Sequence, residues 1–142
     1  MAVARPLVTP GAIIHFPYDF GPPEGIHPKF LLVVDCQIVF YRMFAINTNR
    51  TEWQEETAER MAHVLTIDQQ SHRFLDRDSY VNCTQLLPEK VRIVDQYLRE
   101  NPRETRGRIS ARLRDEILAV IGGSRRFSAD DKQAITRSLR MA

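Results

Sequence analysis

The chain has 142 residues, of which 43% are hydrophobic, and a formal net charge of +2. A chain of this length suits one domain that buries roughly two thirds of its unfolded surface, so neither disulfides nor a metal ion are required for stability. No apolar run reaches the roughly 18 to 20 residues of a membrane span, and the N-terminus lacks the apolar region of a secretory signal. We therefore expect a cytoplasmic protein without a membrane partner.

Charge is distributed unevenly along the chain. Acidic residues outnumber basic ones in residues 1–88, whereas residues 89–142 are basic and rich in arginine. An arginine-rich segment can face phosphate groups or can form a solvated helix surface, and the composition leaves both interpretations open. Cys36 and Cys83 lie in apolar segments outside any Cys-x-x-Cys or Cys/His spacing, so we expect two buried, reduced thiols.

The N-terminal segment predicts an arm, a strand and a loop. Pro6 and Pro10 each remove an amide donor, so residues 1–10 are expected to form a flexible arm. Residues 12–16 (AIIHF) predict the first strand. Residues 17–28 contain four prolines and two glycines, which predicts a long loop. A loop of this length inside a domain is more often a binding loop than an idle connector.

The longest apolar concentration follows in residues 30–48 (FLLVVDCQIVFYRMFAINT). Residues 30–34 and 38–46 predict two strands, and residues 35–37 form a polar interruption short enough for a hairpin turn. The first run is continuously apolar, which is typical of a strand covered on both faces. We expect this hairpin to form the centre of the core, with four buried side chains in particular: Leu32, Val34, Phe44 and Val81.

Helical and strand patterns alternate in the rest of the chain. Thr51 and Gln54 form a capping box that predicts a helix over residues 52–62. Residues 64–67 and 79–87 predict two further strands. In the second of these, strict alternation would place Asn82 and Thr84 on one face and Gln85 on the other.

Three helices are predicted in the C-terminal part. Pro88 fits the first position of a helix that ends near Leu98, residues 110–121 form an amphipathic helix, and Ser128 caps a last helix. Because most strands precede most helices, the pattern favours an α+β domain in which helices pack on a small, strongly curved antiparallel sheet or barrel.

Several short segments together resemble the PemK/MazF family. The resemblance covers roughly residues 11–122 and is carried by GAIIHFPYDFGPPEG, HPKFLLVV, FAINT, SYVNCTQ and RGRIS. It implies an SH3-like barrel domain over residues 11–123, preceded by the arm over residues 1–10. Residues 124–142 would then be a C-terminal helical extension packed on the same domain.

The resemblance also implies an activity. Family members are toxins of toxin–antitoxin pairs that cleave single-stranded RNA with sequence selectivity, without a metal ion or other cofactor, by attack of a 2′-hydroxyl on the adjacent phosphate. It therefore implies an mRNA interferase that forms a symmetric homodimer and binds a cognate antitoxin. A non-catalytic relative that binds nucleic acid or a protein partner is the alternative.

Three residues are candidates for catalysis. The family has an arginine at the entrance of the second strand, where this chain has Lys29, and a Ser or Thr at the end of the third strand, matched by Thr48. Lys29 supplies a point charge but not the bidentate fork of an arginine. His27 is added because an imidazole titrates near neutral pH. No carboxylate or His/Cys set has the spacing of metal ligands, so no metal site is expected.

Three residues of the 79–87 strand are candidates for substrate binding. Some family members have an Arg-x-Asp pair where this chain has Asn82 and Thr84, neither of which acts as an acid or base near neutral pH. With Gln85, they are expected to bind the RNA. Because the ends of neighbouring strands meet at one mouth of a small barrel, His27 and Lys29 are expected to converge with Thr48 and Asn82.

Overall fold

The computed structural model describes residues 6–142, which form an α+β fold built on a curved, six-stranded antiparallel sheet. The strands are β1 (Ala12–Asp19), β2 (Ile26–Cys36), β3 (Phe40–Asn47), β4 (Val64–Ile67), β5 (Ser79–Lys90) and β6 (Thr105–Arg108). Their order across the sheet is β4-β5-β3-β2-β1-β6. The helices are α1 (Glu52–Glu55), α2 (Ala58–Ala62), α3 (Val91–Glu100), α4 (Ala111–Gly123) and α5 (Ala129–Arg140), with a short 3₁₀ turn at Pro102–Glu104.

The sheet is covered on both faces, which explains the continuous apolar run in β2. Because successive side chains of a strand point to opposite faces, Leu31 and Val33 contribute to one cluster while Leu32 and Val34 contribute to the other. The first cluster is completed by α3 through Val94 and Leu98. The second cluster is completed by α4 and α5 through Leu113, Ile117, Ile121, Ile135 and Leu139. The expected burial of Leu32, Val34, Phe44 and Val81 is confirmed.

Side-chain caps define where four helices begin. Ser110 and Ser128 accept hydrogen bonds from the third helical amides of α4 and α5, as their sequence positions predict. The capping box of Thr51 and Gln54 is also present. The single helix predicted over residues 52–62 is wrong, because Thr57 takes an extended conformation and caps α2 as a separate helix.

The long loop predicted over residues 17–28 is wrong. β1 and β2 pair up to Asp19 and Ile26, which leaves only a short turn between them. Pro17 lies opposite Pro28, beyond the stretches where β1 pairs with β6 and β2 pairs with β3. Their missing amides therefore remove no hydrogen bond to an outer strand, and the prolines are tolerated.

Two other boundaries differ from the sequence prediction. Pro88 is not the first residue of a helix, since β5 continues to Lys90 with Pro88 opposite Arg42 of β3. The turn between β2 and β3 lies at residues 37–39 rather than 35–37, because Asp35 remains paired with Arg42. The short strand β6, paired with the start of β1, has no counterpart among the predicted elements.

The two ends of the described chain contact the sheet. Residues 1–5 of the predicted arm lie outside the described residues. Val8 is buried, and its amide donates to the Tyr41 hydroxyl at 3.2 Å. At the other end, Ile135 and Leu139 of α5 share a core cluster with α4. Within residues 6–142, no helix is both long and apolar enough to cross a membrane.

Candidate functional site

A cavity of about 590 Å³ opens on the face of the sheet that α3 covers, but no α3 residue lines it. Its apolar lining includes Ala45 and Leu87, which belong to the same core cluster as α3. Phe20 and Glu24 of the β1–β2 turn contribute to the wall. We call this space the polar cavity because its other side chains include His27, Lys29, Asn47, Asn82 and Gln85.

The alternation of β2 brings two of these side chains to the cavity. His27 and Lys29 are in phase with Leu31, so they extend the apolar face of the strand with polar groups. In the register with β1, His27 lies opposite Tyr18 and Lys29 opposite Phe16. One face of the sheet therefore changes from a packed core under α3 to a polar, accessible surface near the start of β2.

Lys29 supplies a cation that forms no ion pair with a carboxylate in the part of the chain that the structure describes. Its Nζ donates to Oδ1 of Asn47 at 2.5 Å. Among residues 6–142, no Asp or Glu lies within salt-bridge distance of Lys29. Burial lowers the pKa of the Lys29 ammonium below its ordinary value, because removal of water disfavours the charged form. An anion bound in the cavity would offset the free-energy cost of this desolvation, because an opposite charge nearby stabilises the ammonium.

Thr84 orients the Asn82 carboxamide. The Thr84 hydroxyl donates to Oδ1 of Asn82 at 2.5 Å, and the Thr84 amide donates to the same oxygen at 3.1 Å. Because Oδ1 of Asn82 is doubly engaged, its Nδ2 is the part of the carboxamide left to donate to a ligand. Thr84 itself is buried and does not line the cavity.

A bulge in β5 places Gln85 on the cavity wall. Met43 pairs with Leu87, whereas Ala45, two residues along, pairs with Asn82, so β5 contains extra residues between the two pairs. The bulge breaks strict alternation, and Gln85 therefore shares the cavity with Asn82 instead of pointing to the other face. Asn82 and Thr84, expected on one face, are joined by a hydrogen bond between their side chains.

A polar row continues from the cavity toward the edge of the sheet. Asn47, the hydrogen-bond partner of Lys29, lies opposite Tyr80 of β5. The guanidinium of Arg50 stacks over the Tyr80 ring, with its carbon 5.3 Å from the ring centroid. An aromatic ring with a stacked arginine therefore lies in the row of the sheet that contains the Lys29–Asn47 contact.

The structure brings together four of the six side chains predicted for the site. His27, Lys29, Asn82 and Gln85 line the polar cavity, so the expected convergence of His27, Lys29 and Asn82 is observed. Thr48 is exposed just after β3 and is not part of the lining. The catalytic and substrate-binding roles of all these residues stay predictions.

Sequence reasoning did not select Glu24 or Asn47. Glu24 sits in the segment predicted as a binding loop, and its carboxylate was the acidic group of that segment nearest to His27. Asn47 is in phase with Ala45, so the period-two pattern of β3 already indicated that it points to the cavity side. The sequence prediction instead placed Thr48, the residue after Asn47, in the site because of its position at the end of the strand.

Comparisons with known proteins add no family assignment. No protein-family model matches the chain, and no curated protein is significantly similar to it. The resemblance to the PemK/MazF family therefore rests on the short motifs quoted above. Within residues 6–142, no three His, Cys, Asp or Glu side chains are grouped in a way that would hold a metal ion.

Proposed function

We propose that the chain is a PemK/MazF-like endoribonuclease with an altered active site, which binds single-stranded RNA in the polar cavity and cleaves it. The observation that carries this proposal is the Lys29 ammonium, which shares one cavity with His27 and Glu24 and has no carboxylate within salt-bridge distance among the described residues. A phosphodiester carries the charge that this cation lacks. The two other groups, an imidazole and a carboxylate, are of the kinds that act as general acids and bases in enzymes.

The chemistry needs three functions that these side chains supply. The 2′-hydroxyl attacks the adjacent phosphorus, loses its proton to a base, and forms a 2′,3′-cyclic phosphate. The bond to the 5′-oxygen breaks, and that oxygen takes a proton from an acid. We assign Glu24 and His27 as the base and acid pair, and Lys29 as the cation that stabilises negative charge on the phosphoryl oxygens in the transition state.

The remaining polar groups support recognition of a single strand. Asn82 and Gln85 offer amide groups to a base or ribose. Tyr80, stacked with Arg50, offers an aromatic surface in the same row as Lys29. Proteins that bind single-stranded nucleic acid combine such aromatic surfaces with basic residues along the backbone path.

A second candidate is a non-catalytic relative that binds RNA or a protein partner through the same surface. It is favoured by the position of Thr48, which matches the family hydroxyl but lies outside the cavity lining. Replacement of the family arginine by Lys29 also removes bidentate contact with a phosphate. A protein of this kind would retain RNA affinity without cleavage.

The family resemblance leads to three further proposals. They are a symmetric homodimer, a cognate antitoxin as partner, and a cytoplasmic location. Closed twofold symmetry is the commonest arrangement of soluble oligomers, which supports the first of them. The homodimer is testable with the purified chain alone.

The experiment for the main proposal is incubation of the purified protein with single-stranded RNA in EDTA. Fragments that end in a 2′,3′-cyclic phosphate are expected from the wild type, and their loss is expected in Lys29→Ala. Lys132→Ala is the matched control, because Lys132 lies on α5 and does not line the polar cavity. Salt-sensitive binding without cleavage would favour the non-catalytic relative.

A further inference from the structure

The turn between β2 and β3, together with the first residue of β3, exposes three consecutive apolar side chains. Ile38 is 83% exposed, Val39 55% and Phe40 38%. Turns of this length normally carry Gly, Asn, Asp, Ser or Pro, whose side chains suit water and tight backbone geometry. Contiguous apolar residues at such a position are typical of a surface that another molecule covers.

A groove of about 580 Å³ lies between this turn and the start of α3. Ile38, Val39 and Val91 supply its apolar side. Its polar lining consists of Lys90, Arg92, Asp95, Gln96 and Arg99. None of these residues lines the polar cavity, so the basic groove is a separate surface.

The lining of the basic groove carries three basic side chains and one carboxylate. Lys90, Arg92 and Arg99 are exposed, and none of them forms a salt bridge with a residue in the range 6–142. The one carboxylate in the lining, Asp95, is buried and accepts a hydrogen bond from the Tyr41 hydroxyl at 2.6 Å. Its second oxygen lies 3.4 Å from the amide of Leu7. The basic side chains are therefore left for an external anion.

The start of α3 also favours binding of an anion in the basic groove. Lys90 occupies the N-cap position without a side-chain cap, and the first turn contains no acidic residue. The positive end of the helix dipole is thus not compensated by a residue of α3. Carboxylates from another molecule would be favoured by both the dipole and the basic side chains.

We propose that the basic groove binds an acidic peptide segment of another protein, one that also carries apolar side chains. The apolar side chains of the peptide would cover Ile38 and Val39, and its carboxylates would pair with Lys90, Arg92 and Arg99. A concave surface with an apolar side and a single sign of charge at its rim is complementary to a peptide with these two features. This proposal is independent of any activity at the polar cavity.

The test is fluorescence anisotropy with a short labelled peptide rich in Glu, Leu and Phe. The same peptide with Lys in place of each Glu is the ligand control. The acidic peptide is expected to bind, with an affinity that falls as salt rises, and the lysine peptide is not. Arg92→Glu with Arg99→Glu should weaken binding by at least about tenfold. Arg137→Glu, an exposed arginine on α5, should leave it unchanged.

Ile38→Ser separates docking from folding. Ile38 is almost fully exposed, so the variant should keep the wild-type melting temperature while it loses affinity for the acidic peptide. Equal binding of both peptides, or none of either, overturns the proposal. So does a wild-type dimer that Ile38→Ser dissociates, which would make a second copy the occupant. Sedimentation of the protein with phosphatidylserine vesicles in preference to the peptide would overturn it in favour of a lipid surface.

Discussion

Arg42 and Asp35 form an ion pair between β3 and β2 with both side chains largely removed from water. Nε and Nη2 of Arg42 lie 2.9 and 2.8 Å from Oδ2 of Asp35, and the side chains are 14% and 7% exposed. Nη1 of Arg42 also contacts Asp131, while Ser138 donates to Asp35 at 3.0 Å. The pair therefore ties α5 to the central hairpin. This network explains why polar residues interrupt the apolar segment over residues 30–48.

Arg42→Ala is expected to lower the free energy of unfolding by about 3 to 5 kcal/mol, because it leaves the Asp35 carboxylate buried without its cation. Urea denaturation measures the change. Arg112→Ala is the control, since Arg112 is 91% exposed and its pair with Glu116 should contribute no more than about 0.5 kcal/mol. Equal effects of the two substitutions would contradict the importance of the buried pair.

Leu32→Ala is expected to lower the free energy of unfolding by about 2 to 5 kcal/mol, because Leu32 is fully buried beneath α4 and α5. The matched substitution is Ile38→Ala, which removes a similar apolar side chain from an exposed position and should change stability by less than about 0.5 kcal/mol. Thermal denaturation compares the two. A small effect at Leu32 would be incompatible with its place in the core.

Stability is expected to fall as the pH rises above about 9. Burial raises the pKa of Cys36 from 9.0 to about 12, and burial also raises the pKa values of Cys83, Tyr18 and Tyr41. Between the unfolded and folded pKa values, the unfolded chain binds fewer protons than the folded chain. The free energy of unfolding therefore decreases with pH in this range, whereas the stabilisation is fully present below it.

Cys36→Ala provides the control for the alkaline transition. This variant loses one of the groups with a raised pKa, so its stability should depend less steeply on pH between about 9 and 12. Urea unfolding of both proteins at several pH values measures the slopes. A wild-type stability that stays constant up to pH 11 would show that these groups titrate alike in both states.

The purified chain is expected to be a homodimer, since the proposed family membership implies twofold assembly and closed symmetry is common. Size-exclusion chromatography with light scattering should give about twice the chain mass of 16.5 kDa. The Ile38→Ser variant should give the same mass, because the basic groove is assigned to a peptide partner rather than to a second copy. A monomer at micromolar concentration would count against the assembly.

Local chemistry explains which parts of the fold the sequence predicted. The capping residues Ser110 and Ser128, and the apolar run of β2, determine structure within a few neighbouring residues, so their patterns were sufficient. The tolerated pairing of Pro17 with Pro28 depends on which strands lie outside them, and that information is not local. Long-range pairing therefore decided against the predicted loop.

The candidate site was also predicted only in part, because part of it depends on long-range strand pairing. His27, Lys29 and Asn82 meet because strand alternation and strand order place them on one face, which the sequence pattern indicated in part. Gln85 joins them only through the bulge of β5, whose position depends on pairing with β3. The period-two pattern of a single strand does not show where such a bulge lies.

Substitutions of Lys29 and Thr48 test whether the active site is the one that the cavity geometry indicates or the one that the family resemblance implies. If the cavity is the site of cleavage, Lys29→Ala should reduce the cleavage rate by about 10² to 10³, because a preorganised charge next to the phosphate is lost. Thr48→Ala should change the rate by less than about threefold, since Thr48 lies outside the cavity lining. The family resemblance alone would instead predict a loss of activity in both variants.

The measurement is the initial rate of formation of 2′,3′-cyclic phosphate ends from single-stranded RNA in EDTA, with binding affinity determined in parallel. Circular dichroism controls for folding of each variant. Loss of cleavage in Thr48→Ala with normal folding would show that the strand end after β3 joins the reacting groups when RNA binds. Unchanged cleavage in Lys29→Ala would exclude the polar cavity as the active site, because it contains no other lysine or arginine to stabilise the phosphoryl charge among the described lining residues.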